Sequence, residues 1–84
     1  MYYTYILISK NEKRTYTGST GDLARRVEEH NAGKVFSTKP YRPYEVLHCE
    51  EFLTLKEARG RESFFKSTSG RRQIIQFVKV LELS

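Results

Sequence analysis

The chain has no tryptophan, one methionine and, among 84 residues, one cysteine, Cys49. A single thiol excludes an internal disulfide framework and any multi-cysteine zinc site. In its strand-like surroundings Cys49 reads as a small apolar filler rather than a nucleophile. Long apolar runs are missing too: none approaches the roughly 18 residues that cross a bilayer. The first residues lack the charged segment and apolar stretch of a secretory leader. A reduced, cytoplasmic setting is therefore expected. The two prolines, Pro40 and Pro43, fall in one loop, and neither repeats nor low-complexity tracts occur. Acidic residues are also short, 10 against 15 Lys and Arg, for a net charge of +5.

What is present fits one small domain spanning residues 1–84, with a core near the lower limit for independent folding. Hydrophobic content of 38%, with 13% aromatics, argues against a disordered segment. An isoelectric point near 9.5 suits an anionic partner, and nucleic acid is the commonest. The excess is concentrated late: residues 54–84 carry about +4 of the total.

Residues 2–9, YYTYILIS, are β-branched and aromatic without polar alternation, as in a strand covered on both faces and central in its sheet. Arg14 to Gly18 is the return strand of a hairpin whose turn is Lys10-Asn11-Glu12-Lys13. A turn of two or four residues places the rings of Tyr5 and Tyr16 on one face. Ser19 or Thr20 can cap the following helix, which runs to about Ala32 and has Gly33 at its end. Leu23, Arg26, Val27 and His30 share a stripe of that helix, so an arginine and a histidine turn toward the sheet. A buried ion pair, or a histidine bonded to a backbone carbonyl, would also account for that placement.

Lys34 to Pro43 is a basic loop in which the prolines block a regular helix. Lys34, Lys39 and Arg42 alternate there with Phe36 and Tyr41, a mixture suited to backbone charges and stacked bases, and equally to a solvated loop. Glu45 to Phe52 forms a third strand, with His48 at a core or edge position. Thr54-Leu55-Lys56-Glu57 is a capping box that opens a second helix. Glu62 falls inside its apolar stripe of Leu55, Ala58 and Phe65, where an unpaired carboxylate is costly, so a cation or metal must partner it. Ser67-Thr68-Ser69-Gly70 interrupts the helix. Arg71-Arg72 then opens a last one, with Ile74, Ile75, Val78 and Leu81 as its packing face. Hydroxyls and the two arginines at that helix start could hold a phosphate.

The unusual positions are thus Tyr5, Tyr16, Arg26, His30 and Glu62. One carboxylate can hold one divalent ion when water and substrate oxygens complete the shell, which suits Mg2+. An adjacent arginine can steady charge on a phosphoryl group, and a phenol or imidazole can take a proton from water. Together these parts suggest phosphodiester hydrolysis with one metal.

At these residues the sequence resembles the GIY-YIG endonuclease superfamily. Its nearest likeness is to the small single-domain bacterial members related to the N-terminal nuclease module of the excinuclease C subunit. Tyr3-Thr4-Tyr5 stands where the family has Gly-Ile-Tyr, and Tyr16-Thr17-Gly18 where it has Tyr-Ile-Gly. Arg26 matches the family's catalytic arginine, His30 the histidine or tyrosine one turn later, and Glu62 the metal-binding glutamate. The family's late asparagine has no counterpart; Lys66, Ser67, Thr68 and Ser69 occupy that region.

The resemblance implies an α+β fold, a three-stranded antiparallel sheet flanked by helices in the order β-β-α-β-α-α. It also implies cleavage of DNA with one Mg2+ or Mn2+ ion held by Glu62, structure-selective or repair-related in type, with RNA also open as a substrate. Arg26 would stabilise the pentacovalent phosphate and Tyr16 would act as the base. Tyr5 would position water or phosphate, and His30 would assist proton transfer or orient Tyr16. Lys34, Lys39, Arg42, Lys66, Arg71 and Arg72 are the candidate nucleic-acid contacts, with a homodimer or partner protein supplying further affinity. The alternative is a catalytically silent nucleic-acid-binding or interaction module of the same fold, in which Arg26 and Glu62 form a salt bridge.

Overall fold

The structure is a computed structural model that describes residues 1–83. Its elements follow the order β1 (Tyr2–Ser9), β2 (Thr15–Thr20), α1 (Leu23–Asn31), a 3-10 turn (Lys39–Tyr41), β3 (Tyr44–Phe52), α2 (Leu55–Phe65) and α3 (Thr68–Glu82). The sheet is antiparallel in the order β2-β1-β3, so the strand without polar alternation is the central one. The expected α+β architecture holds.

Side-chain alternation along β1 divides the core in two. Tyr5 and Leu7 face α1 and pack with Tyr44, Leu23 and Val27. Ile6 faces the opposite side, where Phe65 and Ile74 bury it with Leu47, Phe77 and Val78 from β3 and α3. On β3 the register shifts between the partners of Ile6 and Leu7, so Leu47 is an extra residue, a bulge. The hairpin turn holds Lys10 to Lys13, closed by a bond from the Ser9 amide to the Arg14 carbonyl at 2.9 Å. The Ser9 hydroxyl fills the turn by accepting from the amides of Asn11 and Glu12.

Helix boundaries differ from the sequence expectation where strand pairing or side-chain caps prevail. β2 continues through Ser19 and Thr20, which pair with Thr4 and Tyr3. Neither can therefore cap α1, and Asp22 does so by accepting from the Arg25 amide at 3.1 Å. Gly33 closes the helix with a φ of 78°, the left-handed conformation that favours glycine. Thr54 caps α2 as its capping box predicts, accepting from the Glu57 amide.

The break between α2 and α3 is confined to Lys66 and Ser67. Ser67 caps α3, so that helix opens at Thr68 rather than at Arg71. Its packing face is also rotated. Ile74, Phe77 and Val78 meet the sheet, whereas Ile75 and Leu81 are exposed. Cys49, expected as a small apolar filler, is instead exposed on edge strand β3. No helix of the described residues is long and apolar enough to cross a membrane.

Candidate active site

The tyrosines of the two short motifs meet because the hairpin register puts them on one face. Tyr5 pairs with Gly18 and Leu7 with Tyr16, so the rings stand two positions apart along the ladder, their centroids 6.3 Å apart. Gly18 permits the approach. A Cβ there would lie 2.5 Å from the Tyr5 hydroxyl oxygen and 2.7 Å from Cζ, so the ring occupies the space a side chain would need.

α1 delivers the imidazole. His30, 0% exposed, lies one turn after Arg26 and places Nε2 3.1 Å from the Tyr5 hydroxyl. Its Nδ1 lies 2.8 Å from the Thr38 hydroxyl, which itself donates to the Val35 carbonyl. Thr38 therefore accepts from Nδ1–H, Nε2 carries the lone pair, and Tyr5 is the donor to it. Burial, followed by the charge of Arg26, pushes the His30 pKa down and favours this neutral form. Burial likewise pushes the Tyr5 hydroxyl up, against the neighbouring Arg26 guanidinium, so Tyr5 keeps its proton.

Tyr16 is placed differently. Its ring is tilted against His30, with 4.8 Å between centroids, but among the described residues its hydroxyl makes no hydrogen bond. The imidazole thus bonds to Tyr5, where orientation of Tyr16 was an open expectation. Arg26 pairs with Glu29 at 3.1 Å with its side chain 34% exposed, and its charge lies near the Tyr5 hydroxyl. Glu29 is what holds the guanidinium in place.

Glu62 comes from α2, on the other side of the sheet. Ser19, one position beyond Gly18 and so facing that helix, donates to Oε1 at 2.6 Å. Lys66, one helical turn later, donates to Oε2 at 2.8 Å. The carboxylate is partly accessible, its side chain 22% exposed, rather than enclosed in the apolar stripe. Burial pushes its pKa up, but the hydrogen bonds from Lys66 and Ser19 outweigh that and hold it below the usual carboxylate range. No salt bridge joins Arg26 to Glu62; each has its own partner.

A groove of about 550 Å³ opens beside Tyr16, between β2 and the α2–α3 junction, with Lys66 and Arg71 on its rim. Of the six basic residues expected to contact nucleic acid, these two share that groove with Tyr16. Arg72 is exposed but does not line the groove. Lys34, Lys39 and Arg42 are exposed on the loop after α1. Arg42 lies over Gly33, so its guanidinium is partly used in closing that loop. Tyr41 carries the Arg14 guanidinium 3.9 Å above its ring and packs on the Tyr5 cluster, which removes it as a free stacking platform. Phe36 remains 93% exposed.

Among the described residues no three His, Cys, Asp or Glu side chains gather as a metal-ligating group. The donor set for a divalent ion is the Glu62 carboxylate alone, a hard, ionised oxygen ligand. That fits an ion such as Mg2+, which keeps most of its waters and takes substrate oxygens to complete its shell. Ser19, Thr38 and Glu29 are supporting residues that sequence reading did not assign to the site. Alternation from Tyr5 through Gly18 could have placed Ser19 opposite α2, but nothing local pairs Thr38 with His30.

The GIY-YIG catalytic domain model matches residues 1–74. The chain is 40% identical over 70 residues to the UPF0213 protein lwe0147 of Listeria welshimeri, covering 82% of this chain and 78% of that one. It is 36% identical over 77 residues to the UPF0213 protein SpyM50708 of Streptococcus pyogenes, covering 90% and 83% respectively. The solution NMR structure of the UPF0213 protein BH0048 from Bacillus halodurans superposes with a TM-score of 0.53 at 31% identity, covering 90% of this chain and 84% of that one. The two tyrosine motifs on a shared sheet face, read with these matches, make this chain a member of the GIY-YIG catalytic domain family.

Proposed function

We propose that the protein is a metal-dependent endonuclease that hydrolyses DNA phosphodiester bonds and selects its substrate by structure, as a repair-type nuclease does. The family is of endonuclease type and implies a nucleic-acid substrate. The observation that most favours activity is the mutual contact of the Tyr5, Tyr16 and His30 rings, with the Arg26 charge nearby.

In this reading Arg26 faces the scissile phosphate and stabilises the charge that builds as water attacks phosphorus. Tyr16, whose hydroxyl has no hydrogen-bond partner among the described residues, accepts the proton of that water. Tyr5 is 1% exposed and is committed to His30, so it forms the fixed wall that positions Tyr16 and the phosphate. Glu62 would hold Mg2+ or Mn2+, which supplies Lewis-acid stabilisation of the phosphate oxygens. Lys66 and Arg71 offer charge to the flanking backbone. The P–O bond to one sugar then breaks, and the departing oxygen is protonated from solvent.

The test is cleavage of labelled duplex, single-stranded, flap and four-way-junction DNA, and of RNA, with Mg2+, Mn2+ or EDTA. Metal-dependent cutting that is lost in both Glu62→Ala and Tyr16→Phe is expected. Salt-sensitive binding without cutting on any substrate would instead identify a silent binding module.

A further inference from the structure

We propose that Lys66 is a latch on the Glu62 carboxylate, and that its release couples metal loading to nucleic-acid binding. This rests on the reading of Glu62 as the metal ligand. The two carboxylate oxygens are held in unlike ways. Oε1 accepts from Ser19, a neutral hydroxyl fixed in β2, at 2.6 Å. Oε2 accepts from the Lys66 ammonium at 2.8 Å, and that side chain is 57% exposed against 22% for Glu62. One oxygen is therefore positioned, and the other is neutralised by a cation that can leave.

Only the side chain of Lys66 needs to move. Its backbone caps α2, the amide donating to the carbonyls of Glu62 and Ser63 at 3.1 and 3.2 Å. A divalent cation at Oε2 competes with the ammonium held there, because the two like charges repel at close range. Among the described residues no other cation is paired with this carboxylate; Arg26 is engaged by Glu29. Once displaced, the ammonium has a destination. Lys66 already lines the groove shared by Tyr16 and Arg71, on the route a phosphate backbone would take to the tyrosines. A phosphate that captures Lys66 in turn bares Oε2. Metal and nucleic acid then strengthen each other by the same factor, as linkage requires.

The latch is weak by construction, since exposed i,i+4 ion pairs contribute little, so it regulates without blocking the site. The experiment is Mn2+ titration of the protein without nucleic acid, by calorimetry and by loss of the free-ion EPR signal. Wild type, Lys66→Gln, Lys66→Arg and Glu62→Gln are compared, each verified as folded by thermal melting. Lys66→Gln is expected to bind Mn2+ about three- to tenfold more tightly than wild type, with Lys66→Arg close to wild type. Glu62→Gln is expected to lose binding. A nuclease-resistant phosphorothioate oligonucleotide should then tighten Mn2+ binding more in wild type than in Lys66→Gln.

Equal or weaker Mn2+ binding by Lys66→Gln, with wild type still binding through Glu62, overturns the latch and leaves the metal-site reading intact. Equal tightening by the oligonucleotide in both proteins overturns the coupling. Absence of Mn2+ binding in wild type and Lys66→Gln alike overturns the metal-site reading, and the latch with it.

Discussion

The Tyr5 hydroxyl donates to Nε2 of His30 at 3.1 Å, joining the central strand to the last turn of α1 inside a buried cluster. Tyr5→Phe keeps the ring and removes the donor, leaving a buried nitrogen without its partner. The expected loss of stability is about 1–3 kcal/mol, read from denaturant melts. If cleavage depends on the wall that this pair forms, activity falls further than stability explains, on the order of 100-fold.

His30 also sets a pH dependence. Its pKa in the folded chain is pushed down by burial and by Arg26, so the unfolded chain binds the proton more tightly. The stability that His30 contributes is therefore complete above its unfolded value of about 6.5, and is lost progressively as pH falls toward the lower folded value. Melting temperatures measured between about pH 8 and 5 should fall on the acid side in wild type. His30→Asn, which has no titrating ring, should show a shallower slope over the same window.

Gly18→Ala tests why the second motif ends in glycine. The added methyl would meet the Tyr5 hydroxyl and Cζ at 2.5 and 2.7 Å, within a core that cannot yield cheaply. A destabilisation of about 1–3 kcal/mol is expected, as for other overpacked sites. Displacement of the Tyr5 ring should be visible as loss of its contact to the His30 imidazole in an NMR spectrum.

Arg71 and Arg72 are adjacent in sequence but differ in place, Arg71 lining the groove beside Tyr16 and Arg72 lying outside it. Arg71→Ala should reduce the slope of log binding constant against log salt by about 1, the signature of one lost phosphate contact. Arg72→Ala should leave the slope near wild type. Fluorescence anisotropy with a labelled oligonucleotide at several salt concentrations separates them, and equal effects would place the nucleic acid elsewhere.

Much of this was legible in the sequence because it depends on short-range periodicity. The shared face of Tyr5 and Tyr16 follows from strand alternation across a four-residue turn, and the inward His30 from helical spacing after Leu23. The capping box at Thr54 marked the start of α2. Other features are decided by competition that no local window contains. Ser19 is a good cap by type, but strand pairing engages it and leaves Asp22 to open α1. Ile75 and Leu81 have the right spacing for a core, yet α3 meets the sheet through a face centred on Ile74 and Phe77. The partners of Glu62 and His30 are fixed by tertiary approach, Ser19 across the sheet and Thr38 through a loop.

The bond from the Thr4 hydroxyl to the Ala58 carbonyl, 2.6 Å long and buried, gives α2 a fixed origin on the central strand. Glu62 lies one helical turn beyond that origin, so the four-residue step from Ala58 to Glu62 works as a ruler set against the tyrosines. Lengthening the short link between β3 and α2 leaves that step unchanged, whereas the turn at Asn11 and Glu12 also sets the face that Tyr16 takes. A single residue inserted between Ala58 and Glu62 would swing the carboxylate by about 100° around the helix. Within α2, then, the step from Ala58 to Glu62 fixes where the carboxylate stands.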